Sequence, residues 1–250
     1  RMGADAVKVA QAADYTNAGT VEFLLDDTGH YYFLEMNTRI QVEHPVTEFV
    51  TGVDLVIEQI RIAAGQPLDS QLQTLHQRGH AIECRIYAED GENGFMPSTG
   101  TILHYSEPAG PGIRVDSGIT RGCEITIDYD PIMAKLIVHA PHRNTAIKNK
   151  IDALNNYKIL CVKNSKKFMK DVIRQPEFIA RRTFTHFNDK HMNDRAGVLD
   201  NFKQLAAAAA AAASVMSANS GSAGGIQTAV KRPTPWQLIG SMQIGDSIHE

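Results

Sequence analysis

The sequence is short of several things, and each shortage narrows what the protein can be. Its three cysteines, Cys84, Cys123 and Cys161, stand far apart with no CxxC pair and no His/Cys cluster, which excludes a disulfide framework and a structural zinc site and points to a reducing compartment. No run of about 18 apolar residues occurs. The tract "LAAAAAAAASVM" is alanine, too weakly apolar and too short to span a bilayer. Concentrated positive charge is missing too. The formal net charge is −3, and the most basic stretch, "KNSKKFMK", reads as the solvated face of a helix, so no nucleic-acid and no membrane partner is expected. Neither a G-x-G-x-x-G nor a P-loop pattern is present to cradle phosphates. What remains is 250 residues at 43% hydrophobic content, enough to bury a sizeable core.

The elements read as α+β. "MGADAVKVAQAAD" places Ala6, Val9, Ala10 and Ala13 at helical spacing. Because it begins at Arg1 inside that pattern, the chain is expected to be an internal segment of a longer protein, whose targeting peptide, if any, is not visible here. "AGTVEFLLDDTGHYYFLEMN" is two β-rich runs around a turn, a hairpin. "TGVDLVIEQIRIAAGQP" predicts a helix capped by Thr51 with Asp54 three residues on. Its apolar stripe would be Val53, Val56, Ile57 and Ile60, ended by Gly65 and Pro67. From His80 to His139 the runs "HAIECRIYA", "GTILHYS", "GIRVDS", "CEITIDY" and "AKLIVHA" predict an antiparallel β segment with its own core. "NTAIKNKIDALNNY" predicts a helix capped by Asn144 or Thr145 with Ile147, Ile151 and Leu154 buried, and "SKKFMKDVI" another. Composition shifts at Leu205. The expected division is residues 1–79, 80–200, an Ala/Gly/Ser-rich linker over 201–232, and the start of a further module over 233–250.

The hairpin permits a geometric reading. A turn centred between Thr28 and Gly29 sets Glu22 directly across from Glu35, with Cβ atoms about 5 Å apart, where like charges repel. Leu24 shares Glu22's face and Asn37 continues Glu35's. Two carboxylates and an amide oxygen then converge, a donor set suited to Mg²⁺ completed by phosphate and water oxygens. A register shifted by one residue would instead turn both glutamates to solvent. Beyond the hairpin, Arg39, Gln41 and Glu43 alternate along a segment read as extended, so all three project from one side. Arginine offers a fork for bicarbonate, carboxylate or phosphate, and a glutamate beside it can accept a proton. His44, before Pro45, is expected extended, with a structural and a catalytic role both open.

"EMNTRIQVEHPVTE", with "GTVEFLLDDTGHYYFLEMN" before it and "GVDLVIEQIRIAAGQPL", "GHAIECRIYAED", "MPSTGTI" and "YDPIMAKLIVHA" after it, closely resembles the biotin carboxylase part of biotin-dependent carboxylases, members of the ATP-grasp superfamily. The likeness runs from residue 1 to about residue 195. It implies the C-terminal part of an ATP-grasp domain followed by the β-rich C-terminal domain of biotin carboxylases. The implied enzyme is a ligase that phosphorylates bicarbonate with ATP to carboxyphosphate, then carboxylates biotin held on a carrier domain. The resemblance makes Glu22 and Glu35 ligands of Mg²⁺ or Mn²⁺ on the ATP phosphates, with Asn37 assisting. Arg39, Gln41 and the Val42 backbone would hold bicarbonate, and Glu43 would be the base. Arg85 would steady carboxyphosphate and the biotin enolate, and Leu24 would face adenine. Arg85's alternative is a surface ion pair with Glu83 or Glu89.

The family's glycine-rich lid and ATP-gripping lysines have no counterpart in these 250 residues, so the chain alone is expected to be inactive. "DPIMA" in place of "DPMIA", and "CVKNS" in place of "GVxTN", depart from the family's pattern and touch packing rather than chemistry. The alanine tract and the Pro-Trp segment after it resemble α subunits of propionyl- and methylcrotonyl-CoA carboxylases. These imply a carboxyltransferase partner, a homodimer through the β-rich half, and a cytoplasmic location or, in a eukaryote, the mitochondrial matrix. Alternatives are the biotin carboxylase of an acetyl-CoA or pyruvate carboxylase, another ATP-grasp ligase of the carbamoyl-phosphate synthetase kind, and a non-catalytic dimerisation module. The carbamoyl-phosphate enzymes typically continue "NPR" after the second glutamate, where this sequence has "NTRIQVEHP".

Overall fold

The chain opens with helix α1 (Met2–Ala12), followed by the hairpin of β1 (Thr20–Leu25) and β2 (Tyr31–Asn37). A computed structural model describes residues 1–192 apart from 70, 71 and 73. The hairpin's turn is shifted from the expected centre. Asp26 organises it, its carboxylate accepting from the N–H groups of Thr28 and His30 at 3.0 and 2.8 Å, so Leu24 faces Tyr32 and Phe23 faces Phe33. A bulge then falls between Glu22 and Phe23, and past it Glu22 faces Glu35. The extra bulge residue offsets the displaced turn.

The next segment departs most from the sequence reading. Residues 38–43 form bends and a turn rather than an extended run, and helix α2 (His44–Thr51) begins at His44 itself. Pro45 occupies the first turn, where its missing N–H has no intrahelical partner to lose. Gly52 ends the helix in the left-handed region at φ 77°, which glycine enters without Cβ strain. The next helix, α3 (Leu55–Ala63), is capped by Asp54, whose carboxylate accepts from the N–H of Ile57 at 2.9 Å. Thr51 is not its cap; its hydroxyl bonds back to the carbonyl of Thr47 within α2. Val56, Ile57 and Ile60, expected buried, are exposed, and the helix turns Leu55 and Ile62 inward instead.

The core lies in the β-rich half. β3 (His80–Tyr87), β4 (Glu89–Asp90), β5 (Met96–Pro97), β6 (Gly100–Thr101), β7 (His104–Ser106), β8 (Ile113–Ser117), β9 (Glu124–Ile125) and β10 (Ile132–Ala140) precede helix α4 (Arg143–Asn156). β11 (Lys158–Leu160), α5 (Lys166–Arg174), α6 (Pro176–Ile179) and α7 (Phe187–His191) follow. The central sheet has the order β3-β10-β8, all antiparallel, and β7-β11, β4-β5 and β6-β9 pair as short antiparallel ladders. "CEITIDY" thus yields only two strand residues, with bends following at residues 127–129.

Alternation on β3 sends Ile82, Cys84 and Ile86 into the core, where Ala146, Ile147, Ala153 and Leu154 of α4 cover them. Ile151 is half-buried beside that cluster, and the cap position of α4 is His142, with Asn144 and Thr145 already inside the helix. The opposite face of the sheet carries α2. Phe49 stacks on His139 with ring centroids 5.7 Å apart. Glu48 takes an ion pair from Arg114 at 2.6 Å, and its other oxygen accepts from the N–H of Leu55 at 2.9 Å. That carboxylate therefore ties α2 and the start of α3 to β8. The alanine-rich linker and the segment after residue 233 lie outside the described residues.

Candidate active site

The bulge decides the first feature of the site. It sets Glu22 and Glu35 face to face, and the Nδ2 of Asn37 donates to both, at 2.8 Å to Glu22 and 3.0 Å to Glu35. The amide thus offers the pair its nitrogen, not the oxygen expected from the sequence, because two adjacent carboxylates attract the donor end. Half a turn about the terminal bond exchanges the two ends. Among the described residues no group of three or more His, Cys, Asp or Glu converges. Two carboxylates with one amide is the sparse oxygen set that fits Mg²⁺, which keeps several positions for phosphate and water. Leu24 is exposed two residues along from Glu22.

Gln41 joins this pair to the turn beyond the hairpin, donating from Nε2 to the same Glu22 oxygen at 2.8 Å. Arg39 holds its fork loosely, at 3.3 Å to the Asn37 side-chain oxygen and 3.3 Å to the Ile40 carbonyl. Arg39, Gln41, Glu43 and His44 line a cavity of about 480 Å³ together with Leu55, Ile62, Leu68, Leu72 and Leu75. The turn therefore presents its polar groups together, as the sequence reading required, although no strand alternation arranges them.

Arg85 comes to this turn from the other half of the structure. Its Nη2 meets the Glu43 carboxylate at 2.6 Å, so the partner is neither Glu83 nor Glu89. Partial burial pushes the Glu43 carboxyl up, but its own N–H, then Arg85 and Arg39, overcome this and hold it below the usual glutamate range. Glu43 is thereby held in its ionised form. Arg85 is kept firmly charged, first by the Tyr87 hydroxyl and, against some desolvation, by Glu43.

Three residues behind the turn were given no part in the site from the sequence, Glu83 entering only as an alternative ion-pair partner of Arg85. Lys135 lies across the ladder from Arg85 and donates from Nζ to the carbonyl of Val42 at 2.7 Å. Asp116 stands 3.4 Å from the same ammonium and takes two bonds from Arg114, at 2.7 and 2.9 Å. Glu83 shares Arg85's face of β3, and neither of its buried oxygens has a hydrogen-bond partner among the described residues. Desolvation pushes its carboxyl up to about 7, against the pull of Lys135 and Lys150. Period-two alternation from Arg85 was the available signal for Glu83.

Residues 83–190 match the family model of the biotin carboxylase C-terminal domain, and residues 1–71 that of the carbamoyl-phosphate synthase L chain, ATP binding domain. A pyruvate carboxylase subunit of Methanothermobacter thermautotrophicus is 50% identical over 191 residues, 76% of this chain and 39% of that protein. The human mitochondrial propionyl-CoA carboxylase alpha chain is 48% identical over 188 residues, 74% of this chain and 26% of that protein. A crystal structure of the biotin carboxylase domain dimer of Hydrogenobacter thermophilus 2-oxoglutarate carboxylase, in complex with MgADP, ADP and bicarbonate, superposes with a TM-score of 0.74 at 46% identity. It covers 76% of this chain and 42% of its own. This chain therefore spans well under half of each of these proteins.

Proposed function

The chain belongs to the biotin carboxylase family, and from that premise we propose that it supplies the metal-facing and bicarbonate-facing part of a site that phosphorylates bicarbonate with ATP and passes the carboxyl group to carrier-bound biotin. The observation that carries the reading is the 2.6 Å contact between Glu43 and Arg85, which joins a base at the end of the hairpin segment to a cation from the β-rich half. Glu22 and Glu35, with Asn37, would hold Mg²⁺ or Mn²⁺. That ion, when bound, neutralises phosphate charge as the γ-phosphoryl group transfers. Arg39's loosely occupied fork would take the bicarbonate oxygens, helped by Gln41 and the Val42 backbone. Glu43 would accept the bicarbonate proton, freeing an oxygen lone pair to attack phosphorus. Arg85 would leave Glu43 to pair with the negative charge that develops on carboxyphosphate and on biotin, and Leu24 would lie against the adenine. The match of residues 83–190 favours this over a carbamoyl-phosphate synthetase.

Within the family we read an acyl-CoA carboxylase, on the alanine-rich tract and the segment after it, with a carboxyltransferase partner, a homodimer through the β-rich half, and a cytoplasmic or matrix location. A pyruvate carboxylase stands beside it, because the two kinds of relative match almost equally well. Fixation of labelled bicarbonate by the holoenzyme onto propionyl-CoA against pyruvate separates them. The primary test is Glu43→Gln in the holoenzyme. Bicarbonate-dependent ATP hydrolysis is expected to fall by about 10²-fold or more, and unchanged hydrolysis overturns the assignment.

A further inference from the structure

Val42 sits between two peptide groups, and each is pinned from a different direction. The carbonyl of Gln41 accepts twice from His44, from its backbone N–H at 3.2 Å and from ring Nδ1 at 2.8 Å. A carbonyl can only accept, so Nδ1 carries the proton. The carbonyl of Val42 accepts from Lys135 at 2.7 Å. In a trans peptide the N–H points opposite to the C=O. Holding these two carbonyls therefore aims the N–H of Val42 and the N–H of Glu43, and the latter helps hold Glu43's own carboxyl below its usual range.

Both pins lead back to one group. Lys135 leans on Asp116, which is forked to Arg114, which pairs with one oxygen of Glu48. The other oxygen of Glu48 lies 4.0 Å from His44 Nε2. The contacts run as a chain from β10 through β8 to α2 and end beside His44. Burying a lysine is costly unless its charge is used, yet Lys135's side chain is only 12% exposed and its ammonium is spent on a backbone carbonyl and one carboxylate.

We propose that His44 and Lys135 are positioning residues that clamp the two peptides flanking Val42, presenting its N–H and the Glu43 carboxylate in fixed geometry to a small trigonal oxyanion. The oxyanion's identity rests on the bicarbonate reading above; the clamp itself does not. The pair gives a role to "EHP" that its place beside a proline did not reveal.

The test has two readouts. In the 250-residue chain, ¹⁵N relaxation reports the order parameters of the Val42 and Glu43 amides. Wild type and Lys135→Arg are expected near ~0.85, while Lys135→Met and His44→Phe fall below ~0.6. His44→Asn, whose side-chain amide nitrogen can stand where Nδ1 stood, should keep most of the order. Unchanged amides of Leu136 to Val138 certify that each variant is folded. In the holoenzyme, Lys135→Met should raise the KM for bicarbonate about tenfold while that for MgATP holds within about twofold, the pattern of a lost positioning contact for one substrate. Order parameters that do not move overturn the clamp. If they fall while the bicarbonate KM holds, the clamp stands and the placement of bicarbonate at this turn is what fails.

Discussion

Replacing Glu83 with glutamine should favour the fold increasingly, relative to wild type, as pH rises. In the native structure desolvation holds the Glu83 carboxyl protonated up to about pH 7, against an ordinary 4.5. The unfolded chain releases that proton near the ordinary value. Between the two the native state binds more protons, so stability falls with rising pH through this window, and the loss is complete above about pH 7. For a fully dry group the gap corresponds to roughly 3 kcal/mol. Both oxygens are shielded from water, but the residue as a whole is only half-buried, and screening brings the figure to about 2 kcal/mol. Lys135, Lys150 and Arg85 oppose the effect and the Glu43 carboxylate adds to it. Glutamine keeps the shape and never ionises. Urea denaturation followed by far-UV circular dichroism, on wild type and Glu83→Gln at steps from pH 5 to 8, reads the contribution, because groups away from Glu83 titrate alike in both, and Lys150, which burial lowers to about 8 and the Glu83 charge raises, changes in the same direction at the top of the range. The difference in unfolding free energy should grow by about 2 kcal/mol across that range. Glutamine's own unpaired amide adds a constant offset that pH does not change. A flat difference, or one that shrinks as pH rises, refutes the reasoning.

Other consequences are more direct. Arg85→Ala in the holoenzyme should reduce biotin-dependent carboxylation by about 10²-fold, and full activity in a radiolabel fixation assay refutes its role. Glu35→Gln removes one of two facing carboxylates, so the hairpin should gain about 0.5 kcal/mol while Mn²⁺ affinity, read by water-proton relaxation with ATP present, drops; undiminished affinity sinks the metal assignment. Glu48→Ala should cost about 2 kcal/mol, since it leaves the Leu55 N–H without its acceptor and takes from Arg114 one of its two carboxylate partners, Asp116 remaining, and a loss near zero in denaturation would show that this chain of contacts holds nothing. The 250-residue chain, with no glycine-rich phosphate loop, should show no bicarbonate-dependent ATP hydrolysis, and measurable turnover contradicts that.

What the sequence revealed and what it hid divide along distance in the chain. The hairpin and the strands of the central sheet were legible because alternation is a local signal, and facing glutamates follow from any turn that sets their register. Even there the right pairing came by way of two offsetting displacements, a turn shifted toward Asp26 and a bulge at Glu22, and period-two reasoning detects neither alone. The stretch from Arg39 to Glu43 shows the limit from the other side. Its residues do gather, but through a turn in which Gln41 reaches back to Glu22 and Glu43 reaches out to Arg85, and an alternating pattern imitates that result for the wrong reason. The helix stripe of Val56, Ile57 and Ile60 misled because apolar spacing marks a face without saying what covers it. Lys135 was invisible because it acts on Val42 across 93 positions of sequence, and a lysine amid "IMAKLIV" is an ordinary strand residue until the register sets it opposite Arg85. The groups expected to touch substrate lie in short motifs, whereas those that hold the motif in shape arrive from β8 and β10 through ladder register. Local sequence therefore names the chemistry of such a site, and the sheet supplies its precision.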